Sequence, residues 1–156
     1  MSRLALHACL LAALVVAASV PAQGVKPEYS GASSGSDSAA RFAADLTAGR
    51  LVLRGISFNA GGATIDSSSI ETLRTLAVAL QRTTGTYLIE SHTASGRSAQ
   101  ALSDRRAAAV RTWLLAAGVD PSRLYAAGFG ATRPRAPPNS GRAQQSSERI
   151  EVSRVS

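Results

Sequence analysis

LIESHTASGRSAQALSDRRA, running from Leu88 to Ala107, decides how this chain is organised. Tyr87, Leu88 and Ile89 make a short apolar, β-prone run that feeds a loop containing Ser95, Gly96 and Ser98. The loop leads to Ser103, which reads as a helix N-cap, with Arg105 and Arg106 in the first turn. A strand, a loop and a helix start therefore converge on one corner. The first N–H groups of a helix lack intrahelical partners and carry partial positive charge, so such a corner suits an anion. A guanidinium beside it pairs bidentately with a carboxylate.

Outward from this corner the pattern repeats. On its N-terminal side, Leu51 to Phe58 alternates loosely and is rich in β-formers, so a strand is expected. Asn59, Gly61 and Gly62 turn the chain, and Ser68 with Glu71 has the capping-box spacing. Ile70, Leu73, Leu76, Ala77 and Leu80 then recur at helical intervals until Gly85. A short helix over Ala40 to Thr47 precedes all of this. The opening stretch itself supplies the second strand, Thr86 to His92.

On the C-terminal side, Ala107, Val110, Leu114 and Ala117 form an apolar stripe, widened by Trp113 and Leu115 and stopped at Gly118. Arg123 to Phe129 reads as a third strand, and Gly130 to Ser147 as a polar Gly/Pro/Arg loop. Glu148 to Val155 alternates Ile150 and Val152 against Glu151 and Ser153, a half-buried last strand. The order strand, helix, strand, helix, strand, strand predicts an α/β chain of the α+β sandwich kind. Two helices would pack on one face of a small mixed sheet, with right-handed crossovers making parallel pairs.

The N-terminus carries separate information. Arg3 followed by the apolar run Ala8 to Val20 and the small residues around Ala22 reads as a signal peptide over residues 1–22. The alternative is an uncleaved anchor, although the run is short for a membrane span. Residues 23–39, rich in Ser and Gly, read as a flexible linker, leaving 40–156 as the domain. Cleavage would remove Cys9, the single cysteine, so the remaining core would hold without a disulfide. The net charge is +7, which suits an anionic partner. Aromatic residues make up 4% of the chain, too few and too scattered for stacking on single-stranded nucleic acid.

These residues carry a resemblance. GISFNAGGATIDSSSIETLRTLA, His92 with Thr93, LSDRRAAAVRTWLLAAGVDPSRLYAAGFGATRP and the tail Ser147 to Val152 stand in the order and near the distances of one family. The chain resembles the C-terminal domain of outer-membrane protein A, the OmpA/MotB/Pal peptidoglycan-associating family, over about Leu51 to Val155. The resemblance implies a non-enzymatic module, in the periplasm of a Gram-negative bacterium, at the wall or outer membrane. It also implies non-covalent binding of the diaminopimelate in peptidoglycan stem peptides. In such domains a motif Asp takes the ligand amine and the Arg of the LSxxRA motif takes its carboxylate.

The Arg is here, as Arg106, but Ala94 stands where the motif Asp belongs. The loop before Leu102 is about three residues shorter than the family's, as judged by motif spacing. Ala99 replaces the Asn, and the closing Asn-Arg-Arg becomes Ser147, Glu148, Arg149. The resemblance makes Arg106, Thr93, Leu102, Ser103 and Arg149 the expected ligand-binding set. Arg106 is either that ligand contact or a structurally paired arginine. His92 reads as a structural residue, with no second His, Cys or clustered carboxylate beside it to hold a metal, and no cofactor is expected. A Ser103, His92, Asp104 triad is set against Ser103 acting as a cap. The leading expectation is peptidoglycan binding with weakened or altered specificity. The alternatives are an envelope protein-interaction module that has left the wall, and an arginine-rich surface for anionic polysaccharide.

Overall fold

A computed structural model describes residues 32–94, 96, 98–133 and 148–156. The leader over 1–22, the first part of the linker and most of the Gly/Pro/Arg loop, including Arg135 and Arg142, lie outside the described residues. Three helices and four strands follow one another: α1 Ala32–Thr47, β1 Arg50–Leu53, α2 Ile70–Arg82, β2 Tyr87–His92, α3 Ala99–Ala116, β3 Leu124–Gly130 and β4 Arg149–Arg154.

The sheet order is β1-β4-β2-β3. β2 and β3 pair in parallel across the α3 crossover, and β4 lies antiparallel between β1 and β2. The expected α+β architecture with a mixed sheet is therefore present. The last strand separates β1 from β2, so only one of the two expected parallel pairs is a direct one.

Strand alternation sorts the two faces of the sheet. Leu51, Leu53, Ile89, Leu124, Ile150 and Val152 are buried together with Leu73, Leu76 and Leu80 of α2 and Val110 and Leu114 of α3. Each fully buried side chain of this size contributes roughly 1.5–3 kcal/mol over leaving it exposed. The core was legible as the apolar set of each period.

Besides the two helices of the sandwich, a short helix was expected over Ala40 to Thr47, and α1 ends there but starts eight residues earlier. Its helical turns begin at Ala32, inside the stretch read as a flexible linker. Ala39 and Leu46 are buried, and Phe42 and Ala43 pack against the core, so tertiary burial overrides the weak helix propensity of Ser and Gly.

Capping also differs from the expectation. Ser68 and Glu71 make no capping box. Asp66 caps a 3₁₀ turn ahead of α2, its Oδ1 accepting from the Ser68 N–H at 2.9 Å and the Ser68 hydroxyl at 2.6 Å. Asp120 does the same with Ser122, at 2.8 Å and 2.6 Å. These bonds favour the charged form, so both carboxyls sit below their ordinary value. At the other end of α2, Arg123 donates to the carbonyls of Leu80, Thr83 and Gly85, satisfying groups that the helix end leaves open.

Candidate functional site

The opening corner is rebuilt relative to expectation. α3 begins at Ala99, four residues before Ser103, so Ser103 is inside the helix and Arg106 is in its second turn. The N-cap is Ser98, without a side-chain bond. The free N–H groups expected near Ser103 are consequently absent as an anion site: Leu102 N–H already donates to Ser98 O at 2.9 Å.

Ser103 fastens the helix to β3. Its hydroxyl donates to Gln100 O at 2.8 Å and accepts from Gly130 N–H at 2.9 Å. Asp104 accepts from Gly128 N–H at 2.9 Å and from Gln100. A Cβ on Gly128 would fall 2.3 Å from Asp104 N, so glycine is required where the two elements meet. With both residues engaged this way, no Ser, His, Asp relay is assembled among the described residues. Thr93 is likewise taken up locally, its N–H on Gly130 O and its hydroxyl on Ala99 O, both at 3.0 Å.

Arg106 goes to the opposite side of α3. There the connection after β1 folds back, with Phe58 bridging Ile65 and Asn59 N–H bonded to Thr64 O. This turn presents Gly62 O, which accepts from Arg106 Nε at 3.0 Å. The guanidinium lies 4.8 Å from the Phe58 ring centroid, a cation–π contact. Its Nη1 stands 3.4 Å from Oε2 of Glu148, just ahead of β4. The Arg106 side chain is 8% exposed and that of Glu148 47%, so the arginine is enclosed by its partners and the acid stands half in solvent.

Together these groups border a pocket of ≈ 270 Å³. Ile56, Phe58 and Ile150 give it apolar walls, and Arg106, Glu148, Ser91 and an edge of the buried His92 give it polar ones. Ser91 Oγ is buried and has no hydrogen-bond partner among the described residues. Arg149 also borders the pocket, but its Nε is bonded to Glu151 at 2.5 Å and its Nη2 to Arg133 O at 3.2 Å. Of the expected ligand set, the structure brings Arg106 and Arg149 to the pocket. Thr93, Leu102 and Ser103 do not border it.

Phe58, Ser91 and Glu148 border the pocket and were not in the expected ligand set. The signal for Glu148 was present in the sequence as an acid in the family's Asn-Arg-Arg tail. What the sequence did not give was its reach to Arg106.

The other sheet face holds a charge network. Glu90 and Glu151 stand directly opposite each other between β2 and β4, an arrangement that like charges disfavour. Arg133 lies 3.1 Å from Glu90, Arg50 pairs with Glu151, and Ser153 donates to Glu90. Burial pushes the Glu151 carboxyl up, and the Arg149 and Arg50 partners outweigh it, holding it below its ordinary value.

His92 is buried beside these acids, stacked on Phe129 at 5.4 Å, with Nε2 3.7 Å from Glu90 Oε2. Burial, and then the Arg149 cation, hold its imidazole below the ordinary value against the pull of Glu151 and Glu90. Glu90, His92 and Glu151 offer three donor atoms within 4.8 Å of one another. No clustered carboxylate was expected around His92, and the pairing of β2 with β4 supplies two; arginines already balance them, so the arrangement is an ion-pair network in form.

Comparison with known proteins follows this geometry. The chain belongs to the OmpA family, whose match spans residues 57–148. It is similar in structure to the cell wall anchor of the T6SS from Pseudomonas aeruginosa, at 26% identity and a TM-score of 0.63, covering 75% of this chain and 96% of that one. The periplasmic domain of Helicobacter pylori MotB superposes with a TM-score of 0.59 at 22% identity, covering 69% of this chain and 73% of that one, a likeness of fold. The comparison with curated proteins gives no match. Among the described residues, no helix is long and apolar enough to cross a membrane.

Proposed function

We propose that this chain is an exported, periplasmic, non-enzymatic domain that holds peptidoglycan non-covalently at the Arg106 pocket. The observation that carries the proposal is a fixed, buried guanidinium on the wall of an open pocket in an OmpA-family domain. Nε and the Phe58 ring hold the group in place, and the remaining donors are those that match a carboxylate. The role of one structural neighbour, a cell wall anchor, agrees with this reading. The leader over residues 1–22 supplies the route of export.

Co-sedimentation with purified sacculi tests the proposal. The wild-type domain is expected in the pellet, Arg106→Ala in the supernatant, and Arg106→Lys between them at unchanged helix content by circular dichroism. A wild-type domain that stays in the supernatant overturns it. The reading favoured in that case is a module docking another envelope protein, since Thr93 and Ser103 are already occupied within their own loop and helix.

A further inference from the structure

We infer that Glu148, on a different element from the position Ala94 where the motif acid is missing, is the ammonium acceptor of this pocket. The inference rests on the peptidoglycan reading above and adds which side chain of this chain takes the ligand's ammonium.

Charge is the first ground. Arg106 attracts a carboxylate, but any carboxylate reaching it also meets Glu148, 3.4 Å away. A purely anionic ligand is repelled by that acid, and a purely cationic one by the arginine. A ligand carrying both charges close together replaces one pair by two, Arg106 with its carboxylate and Glu148 with its ammonium. Leaving either ligand charge without a counter-charge would forfeit this gain.

Solvent exposure is the second ground. The Glu148 side chain is half exposed, so its pair with Arg106 is weakly held in high dielectric and is readily exchanged. Arg106 itself does not need to move, being anchored by Gly62 O and the Phe58 ring. The third ground is the rest of the lining. Ile56, Phe58 and Ile150 suit methylene groups, and the unpartnered Ser91 hydroxyl offers a further hydrogen bond at the pocket wall.

The carboxylate has thus changed element. Position 94 is Ala and does not border the pocket, whereas the acid at 148, at the head of β4, does.

Calorimetric titration of the wild-type protein and Glu148→Gln tests this, with meso-diaminopimelate, its N,N′-diacetyl derivative and pimelate as probes, beside sacculus co-sedimentation. Wild type is expected to bind diaminopimelate at least tenfold more tightly than either probe lacking an ammonium. Glu148→Gln is expected to lose that preference, binding diaminopimelate tenfold more weakly and pimelate no worse. If wild type pellets with sacculi but Glu148→Gln keeps the same preference, the inference is overturned and the peptidoglycan reading stands. If wild type binds neither sacculi nor diaminopimelate, both are overturned.

Discussion

Oε2 of Glu148 lies 3.4 Å from Nη1 of Arg106, and through this pair the start of β4 meets the second turn of α3 at the mouth of the pocket. The pair joins the strongest expectation from sequence, Arg106, to a residue whose part only the folded chain reveals.

The position of the missing motif acid leads to a first prediction. Ala94 lies outside the pocket lining, so Ala94→Asp is expected to change sacculus binding by less than about twofold, a few tenths of a kcal/mol. Glu148→Gln acts on the pocket wall and is expected to reduce it far more. Parallel co-sedimentation of the two variants checks this; a large gain from Ala94→Asp would show that the loop still reaches the ligand.

Arg123 closes the C-terminal end of α2 with three bonds, at 2.9, 3.1 and 2.7 Å, to carbonyls of Gly85, Leu80 and Thr83. Arg123→Ala leaves these partly buried acceptors without a donor and is expected to cost about 2 kcal/mol. Urea denaturation measures it as a lower midpoint at unchanged slope. Sacculus binding at temperatures where the variant is folded should be unchanged, because Arg123 is remote from the pocket lining.

The close approach of β3 to α3 leads to a third expectation. A Cβ at Gly128 would meet Asp104 N at 2.3 Å and Ser103 Oγ at 2.4 Å. Gly128→Ala is therefore expected to destabilise by about 1–3 kcal/mol. Gly62→Ala, whose nearest neighbour would be Asn59 O at 3.5 Å, is expected to cost much less. Thermal melts of the two variants side by side decide the matter.

His92 gives the domain a pH dependence. Its folded pKa is depressed, so between that value and the ordinary 6.5 the unfolded chain binds more protons than the folded one. Stability consequently falls as pH drops below about 6.5. The lowered Glu151 carboxyl adds a loss of the same sign beginning lower, below its ordinary 4.5. Denaturation midpoints from pH 7.5 to 5 should decline in wild type and be flatter in His92→Gln; equal slopes would remove His92 as the source.

How much of this was legible beforehand depended on the range of the forces involved. β4 was expected over 148–155 and spans Arg149–Arg154, because strict alternation is a local signal. Gly85 and Gly118 mark the expected stops, with φ of 107° and 88°, values that glycine adopts without strain. α1 was missed from Ala32 to Ala39 because its support comes from burial of Ala39 and Leu46, which no local propensity reveals.

Ser103 misled for a related reason. The residue is a good cap by type, but the helix starts at Ala99, and the hydroxyl is used across to Gly130 instead. At the site, Arg106 was legible through motif spacing. Its partners Gly62, Phe58 and Glu148 come from three distant segments, and their convergence is a property of the fold.

The most direct measurement is a nitrogen-15 NMR titration of the domain with a muropeptide carrying a free diaminopimelate end. The account predicts saturable shifts of the Arg106 Nε–H resonance and of the Ser91 and Ile150 amides, with little change at Thr93 and Ser103. Saturable shifts centred on Thr93 and Ser103 with Arg106 unmoved, or no shifts at all, would contradict it.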